Sequence, residues 1–196
     1  YFSVFSQNLD AGIQITASHN PGDYNGFKMM IGKKTLSGTD IQRLKEKITS
    51  KSYSDPANQG SLEEFDAPSA YVEELIERSK PHLGERKLKV VVDGGNGVGG
   101  PAGVAVLKAL GCEVIELYTD PDGTFPNHHP DPTELENIEE LCKLVVSEGA
   151  DLGIAFDGDA DRIGVVDEKG QAIFGDMLLL IYARQLLKEV PGATVI

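Results

Sequence analysis

The chain has 196 residues, 40% of them apolar and 25% charged, with a formal net charge of −13. That acidity argues against nucleic acid or an anionic membrane surface as a partner, because either needs a basic face, and no apolar run approaches the roughly 20 residues of a transmembrane helix. A phosphorylated substrate remains compatible, since a local group of Lys, Arg and metal can hold a phosphate inside an acidic protein.

In chain order, Gly12 to Thr16 reads as a short buried strand, and a polar loop from Ala17 ends at the turn signal Asn25-Gly26. Gly26 to Ile31 returns as a second strand, which can bring Lys28 back alongside Ser18. Thr39 or Asp40 is expected to cap a helix whose apolar stripe is Ile41, Leu44 and Ile48. Ser50 to Gly60 is a polar surface connection, and a helix with Val72, Leu75 and Ile76 on one face follows it, ending before Pro81. A domain boundary is expected near Asp66. Beyond Pro81 the pattern is regular: strand Leu88 to Val92, helix Pro101 to Leu110, strand Cys112 to Tyr118. Thr133-Glu134-Leu135-Glu136 reads as a capping box that opens a helix with Ile138, Leu141, Cys142 and Val145 inward, before the strand Asp151 to Phe156. This alternation predicts an α/β fold with a parallel sheet and right-handed crossovers. Ile163 to Asp167 and Gln171 to Phe174 form an expected hairpin, and Asp176 is expected to cap a last helix to about Lys188. Cys112 and Cys142 form no C-x-x-C pair and read as buried free thiols of a reducing compartment, so a cytoplasmic location is expected. The sequence begins at Tyr1 and ends on what reads as a strand cut short, so a fragment of a longer chain is expected.

Chemistry concentrates in two places. Asp157, Asp159 and Asp161 alternate directly after a strand, at the end of a parallel sheet where such folds bind ligands. Gly158 and Ala160 are small enough to let the loop curl, and magnesium takes oxygen ligands at near-octahedral geometry. An exposed acidic turn is the bland alternative, but two carboxylates about 4 Å apart repel by about 4 kcal/mol at an effective dielectric near 20, which favours a cation. A calcium loop of the EF-hand kind fails because Arg162 stands where its sharp turn needs Gly, and because strands flank the segment.

The second place is Ile15-Thr16-Ala17-Ser18-His19-Asn20-Pro21. Its side chains, its main-chain N–H groups and Lys28 can hold an anion, yet the residues alone leave it open between a phosphate site and an ordinary turn. A Ser-His-Asp hydrolase is excluded on two expectations: adjacent Ser18 and His19 on extended backbone point apart, and no G-x-S-x-G elbow exists. Gly95-Asn96-Gly97-Val98-Gly99-Gly100, with Glu116 further on, matches a dinucleotide fingerprint and gives the alternative of an NAD(P)-dependent oxidoreductase. Asp93 opposes that, and a structural glycine turn is favoured. His128-His129 read as polar loop residues.

Thr16 to Lys28, the segment Asp157-Gly158-Asp159-Ala160-Asp161-Arg162, and Phe125-Pro126-Asn127-His128-His129-Pro130-Asp131-Pro132 resemble motifs of the α-D-phosphohexomutases, in the bacterial phosphomannomutase/phosphoglucomutase branch. The resemblance covers essentially the whole chain. It implies part of a four-domain, heart-shaped enzyme with mixed or parallel sheets and helices on both faces. Residues 1–66 would be the latter part of domain I, 67–170 domain II and 171–196 the start of domain III. It implies a hexose phosphate substrate, a phosphoserine at Ser18, Mg²⁺ held by Ser18, Asp157, Asp159 and Asp161, and a hexose 1,6-bisphosphate intermediate. Lys28 and Arg162 would stabilise charge, and His19 would transfer or position a proton. The sugar-recognition loop and the phosphate-binding fourth domain would lie outside this sequence, so the stretch alone is expected to bind metal without turnover. The family more often has Gly at position 160, where alanine is strained by about 1 kcal/mol if the backbone needs a positive φ.

Overall fold

The computed structural model describes residues 1–53 and 60–195. Most of the expected polar connection from Ser50 to Gly60, and the last residue of the expected final strand, lie outside the described residues. The chain divides into two compact units, residues 1–16 with 25–71, and residues 17–24 with 72–196. The division falls after Tyr71, and it groups the serine loop with the second unit.

In the first unit, helix α1 (Phe2–Ser6) precedes the antiparallel sheet β1 (Ala11–Ile15), β2 (Phe27–Ile31) and β3 (Lys34–Thr35). Lys28 lies opposite Gln14 in the register. Val4 and Met30 are buried, with Val4 seated at Gly12, where a Cβ would approach it to 2.6 Å. The expectation of a buried first strand is corrected, because Ile13 is 68% and Ile15 64% exposed. Helix α2 (Thr39–Thr49) starts after Gly38, whose φ of +50° turns the chain into the helix. Neither Thr39 nor Asp40 is the cap. Helix α3 (Ala67–Ser79) runs into a 3-10 turn at Lys80–His82.

The second unit is an α/β sandwich built on a five-stranded sheet in the order β5-β4-β6-β7-β8. Strands β4 (Lys89–Asp93), β5 (Glu113–Leu117) and β6 (Leu152–Phe156) are parallel, and β7 (Ile163–Asp167) and β8 (Ala172–Ile173) extend the sheet antiparallel. Side chains alternate across β4: Val90 and Val92 meet Val104 of helix α4 (Gly99–Ala109), whereas Val91 meets Leu141 and Val145 of helix α5 (Glu139–Glu148). One helix therefore covers each face, and each fully buried Val contributes about 2 kcal/mol. Helix α6 (Gly175–Glu189) follows β8.

Two caps differ from expectation. Thr133 gives its N–H and hydroxyl to Asp131 Oδ1, so the capping box does not form; a 3-10 turn at Leu135–Ile138 leads into α5 instead. Asp176 bonds the N–H of Met177 and lies inside α6, whose N-cap is Phe174. Both cysteines are free and half-buried, and burial pushes both thiols up in pKa. Among the described residues no helix is long and apolar enough to cross a membrane.

Candidate active site

Strand β4 leads through α4 to β5 on one side, while β6 pairs on the other side of β4. The chain thus switches direction between β4 and β6, and open α/β sheets bind ligands outside the carboxyl ends of strands at such a point. The aspartate loop leaves β6 there, and the glycine-rich loop leaves β4 beside it.

One carboxylate oxygen from each of Asp157, Asp159 and Asp161 lies within 4.8 Å of the others. Asp157 is fully buried and Asp161 exposed. Asp157 Oδ1 accepts the main-chain N–H of Arg162 at 3.1 Å, which curls the loop back on itself. Ala160 sits at φ +61°, the left-handed region in which alanine is strained by about 1 kcal/mol. Three hard oxygen donors converging on one point fit a magnesium ion. Without a cation, each pair of charges at this spacing repels by about 3 kcal/mol at an effective dielectric near 20.

Ser18 is brought against this loop. Its hydroxyl donates to Asp157 Oδ2 at 3.0 Å and lies 3.2 Å from His19 Nδ1. The expectation that Ser18 and His19 point apart is corrected: Ser18 has φ +56°, and that left-handed turn swings the two side chains together. No hydrolase triad results, since His19 Nε2 stands 3.9 Å from Asp131 Oδ2 and the Ser18 proton is directed to Asp157. Asn20, expected as an anion donor, bonds Ala17 O through both its N–H and its side-chain amide. Gly158 lets the two loops meet, as a Cβ there would collide with the Ser18 carbonyl oxygen. Lys28 is half-buried on β2 in the first unit.

Two groups escaped sequence reasoning. Asp131 Oδ2 lies 3.4 Å from Arg162 Nη1 as well as near His19. Burial raises the Asp131 pKa, but the Thr133 hydroxyl and N–H, His19 and Arg162 overcome that and hold it below the usual carboxylate range. The other group is the buried Asp93, whose two oxygens each lie 3.1 Å from His128 Nε2. His128 is thus a polar loop residue, as expected, and one held by a buried carboxylate. Asp131 between two prolines, and the buried strand-end position of Asp93, were the available signals.

The oxidoreductase alternative is corrected here. The N–H groups from Gly94 to Val98, through the turn of the fingerprint, are spent within the protein. Gly94 donates to Leu117 O, Gly95 to Asp93 Oδ1, Asn96 to Tyr118 O, Gly97 to Gly94 O and Val98 to Gly158 O. Glu116, the acidic residue of the fingerprint, is paired with Lys108 and Thr119. The glycines serve close packing instead: a Cβ on Gly97 would lie 2.8 Å from Gly158 O, and one on Gly99 would lie 2.6 Å from Ala160 Cβ. The loop is a buttress behind the aspartates.

Known proteins agree with this architecture. Residues 69–170 match the family description phosphoglucomutase/phosphomannomutase, alpha/beta/alpha domain II, and residues 1–55 match domain I of the same family. The chain is 43% identical over its whole length to a phosphoglucomutase of Neisseria meningitidis, and it covers 42% of that protein. It is 45% identical over 94% of its length to a phosphomannomutase/phosphoglucomutase of Pseudomonas syringae, of which it covers 39%. A crystal structure of a phosphoglucomutase/phosphomannomutase family protein from Burkholderia thailandensis superposes with a TM-score of 0.88 at 45% identity, over 94% of this chain and 39% of that one. The chain thus spans about two fifths of the length of the relatives it matches. With two domain models matched in order and both motifs seated at one switch point, the chain belongs to the phosphoglucomutase/phosphomannomutase family.

Proposed function

We propose that the protein carrying this chain transfers a phosphoryl group reversibly between the 1- and 6-positions of a hexose phosphate, mannose or glucose phosphate, through a phosphoserine at Ser18. The observation that carries this is the Ser18 hydroxyl, 3.0 Å from Asp157 Oδ2 at the mouth of the aspartate cluster. A phosphoryl group on that oxygen would stand beside the only cluster of metal-ligating carboxylates found among the described residues.

In the first half-reaction a hydroxyl of the bound hexose monophosphate attacks the phosphorus on Ser18. The bond to Ser18 Oγ breaks, the sugar hydroxyl loses its proton and Ser18 Oγ gains one. The hexose 1,6-bisphosphate then presents its other phosphate: Ser18 Oγ loses its proton and attacks that phosphorus, the bond from the phosphorus to the sugar oxygen breaks, and the sugar oxygen takes up a proton as the isomeric monophosphate leaves. Asp157, Asp159, Asp161 and the Ser18 oxygen would hold a magnesium ion, which when bound would supply positive charge against the negative charge of the transferring group. Arg162 contributes its guanidinium to the phosphate. His19, with Nδ1 at 3.2 Å, is placed to hold or move the Ser18 proton.

The test uses the full-length protein carrying this sequence, with Mg²⁺, a catalytic amount of hexose 1,6-bisphosphate, and glucose 1-phosphate or mannose 1-phosphate. Formation of the corresponding 6-phosphate is expected. Absence of isomerisation with both sugars refutes the proposal.

A further inference from the structure

Five residues around the serine close into a ring, four of its links between side chains and the fifth through the main-chain N–H of Arg162. Ser18 Oγ meets His19 Nδ1 at 3.2 Å, and His19 Nε2 faces Asp131 Oδ2 at 3.9 Å. The same Oδ2 faces Arg162 Nη1 at 3.4 Å, the Arg162 N–H reaches Asp157 Oδ1 at 3.1 Å, and Asp157 Oδ2 accepts from Ser18 at 3.0 Å. Asp131 is the one member that belongs to neither the serine loop nor the aspartate loop.

Its mounting is rigid. Oδ1 is held by the Thr133 hydroxyl at 2.7 Å and the Thr133 N–H at 3.1 Å, which leaves Oδ2 aimed at His19 and Arg162. Its N–H donates to His129 O at 2.8 Å, and its carbonyl accepts from the buried Asn137 amide at 2.9 Å. Pro130 on one side is fully buried against Gly95. Pro132 on the other side abuts Gly164, where a Cβ would approach it to 2.8 Å, two residues after Arg162 on β7. The carboxylate and the start of the strand that follows Arg162 therefore share one joint.

We propose that Asp131 is a positioning residue for phosphoryl transfer, fixing the Arg162 guanidinium and the His19 ring around the Ser18–Asp157 pair. This rests on Ser18 being the phosphoryl carrier. A negative charge beside a phosphate site opposes anion binding, so a purely electrostatic role would make its removal favourable for substrate. A positioning role predicts the reverse in turnover: Arg162 is long and 40% exposed, and without Oδ2 it spreads over many rotamers.

The experiment measures kcat and KM of the full-length protein and its Asp131→Asn variant, which keeps an acceptor for Thr133 and loses the charge. The expected result is a fall in kcat on the order of 10²-fold, the scale for a misplaced catalytic group, with KM unchanged or lower. In an Arg162→Gln background the same change is expected to cost less than about twofold more, because both variants break one coupled unit. Thr133→Val removes the hydroxyl that clamps Oδ1 and leaves the charge; a several-fold fall in kcat at constant KM is expected, and this variant stands in should Asp131→Asn fail to fold. Wild-type kcat in the variants, full additivity with Arg162→Gln, or a loss confined to KM overturns the proposal. A wild-type protein without turnover and without Ser18 phosphorylation would instead remove the mutase function on which it rests.

Discussion

Gly97→Ala separates the two roles open to the glycine-rich loop. A Cβ at this position would lie 2.8 Å from Gly158 O, 2.9 Å from Gly158 Cα and 3.1 Å from Asp157 O, all main-chain atoms that no rotamer change can move away. Ordinary contact begins at 3.4 Å, so the aspartate loop must retreat by about 0.6 Å. Overpacking of this kind costs about 1–3 kcal/mol, which lowers a urea midpoint by about 1 M at a slope near 2 kcal/mol/M. The retreat also displaces Asp157 relative to Ser18. If a 1 Å misplacement costs about 10²-fold, 0.6 Å costs about 10-fold in phosphoryl transfer from Ser18. Urea unfolding followed by circular dichroism, and the rate of Ser18 phosphorylation by labelled hexose bisphosphate, read the two effects. Wild-type values in both would refute the buttress, as would a variant whose sole change is in NADH binding.

Asp157→Asn retains an acceptor for the Arg162 N–H but removes the buried charge. It is expected to lower phosphoryl transfer by at least about 10²-fold and to weaken Mg²⁺ binding while the circular dichroism spectrum is preserved. Full activity in that variant would sink the metal assignment. The His128 pKa is raised, first by its hydrogen bond to Asp93, with burial opposing and the contact with His129 O assisting. Protonated His128 is thus favoured in the fold. Its contribution to stability is fully present below the unfolded value of about 6.5 and is lost as pH rises through the raised folded value. Stability of the wild type should decline across that window, and Asp93→Asn should flatten the decline. His128→Ala, which leaves a buried carboxylate without its cation, should cost about 3 kcal/mol below the window. A wild-type stability independent of pH there would contradict the pairing.

Much of the second unit was legible because its signals are local. The alternation of Val90, Val91 and Val92 sets both faces of β4, and the apolar positions of α4 and α5 follow from helical period. The aspartate loop could be placed from the strand before it, and Ala160 takes the positive φ that would strain an alanine there. What could not be read depends on partners distant in sequence. A single left-handed residue, Ser18, reverses the expected divergence of Ser18 and His19. Thr133 looked like a helix cap, but Asp131 two residues earlier outcompetes the helix for its hydroxyl. The glycine-rich loop fits the fingerprint as text, and only the destinations of its N–H groups distinguish a buttress from a nucleotide site. In the first unit the short strand from Gly12 to Thr16 reads as buried, yet Ile13 and Ile15 are exposed.

The most direct measurement places the phosphoryl group. The full-length protein, incubated with Mg²⁺ and hexose 1,6-bisphosphate carrying labelled phosphate, should yield one labelled peptide containing Ser18, and EDTA added beforehand should abolish the label. Label on another residue, or none with Mg²⁺ present, would contradict a phosphoserine at Ser18 and the transfer mechanism built on it.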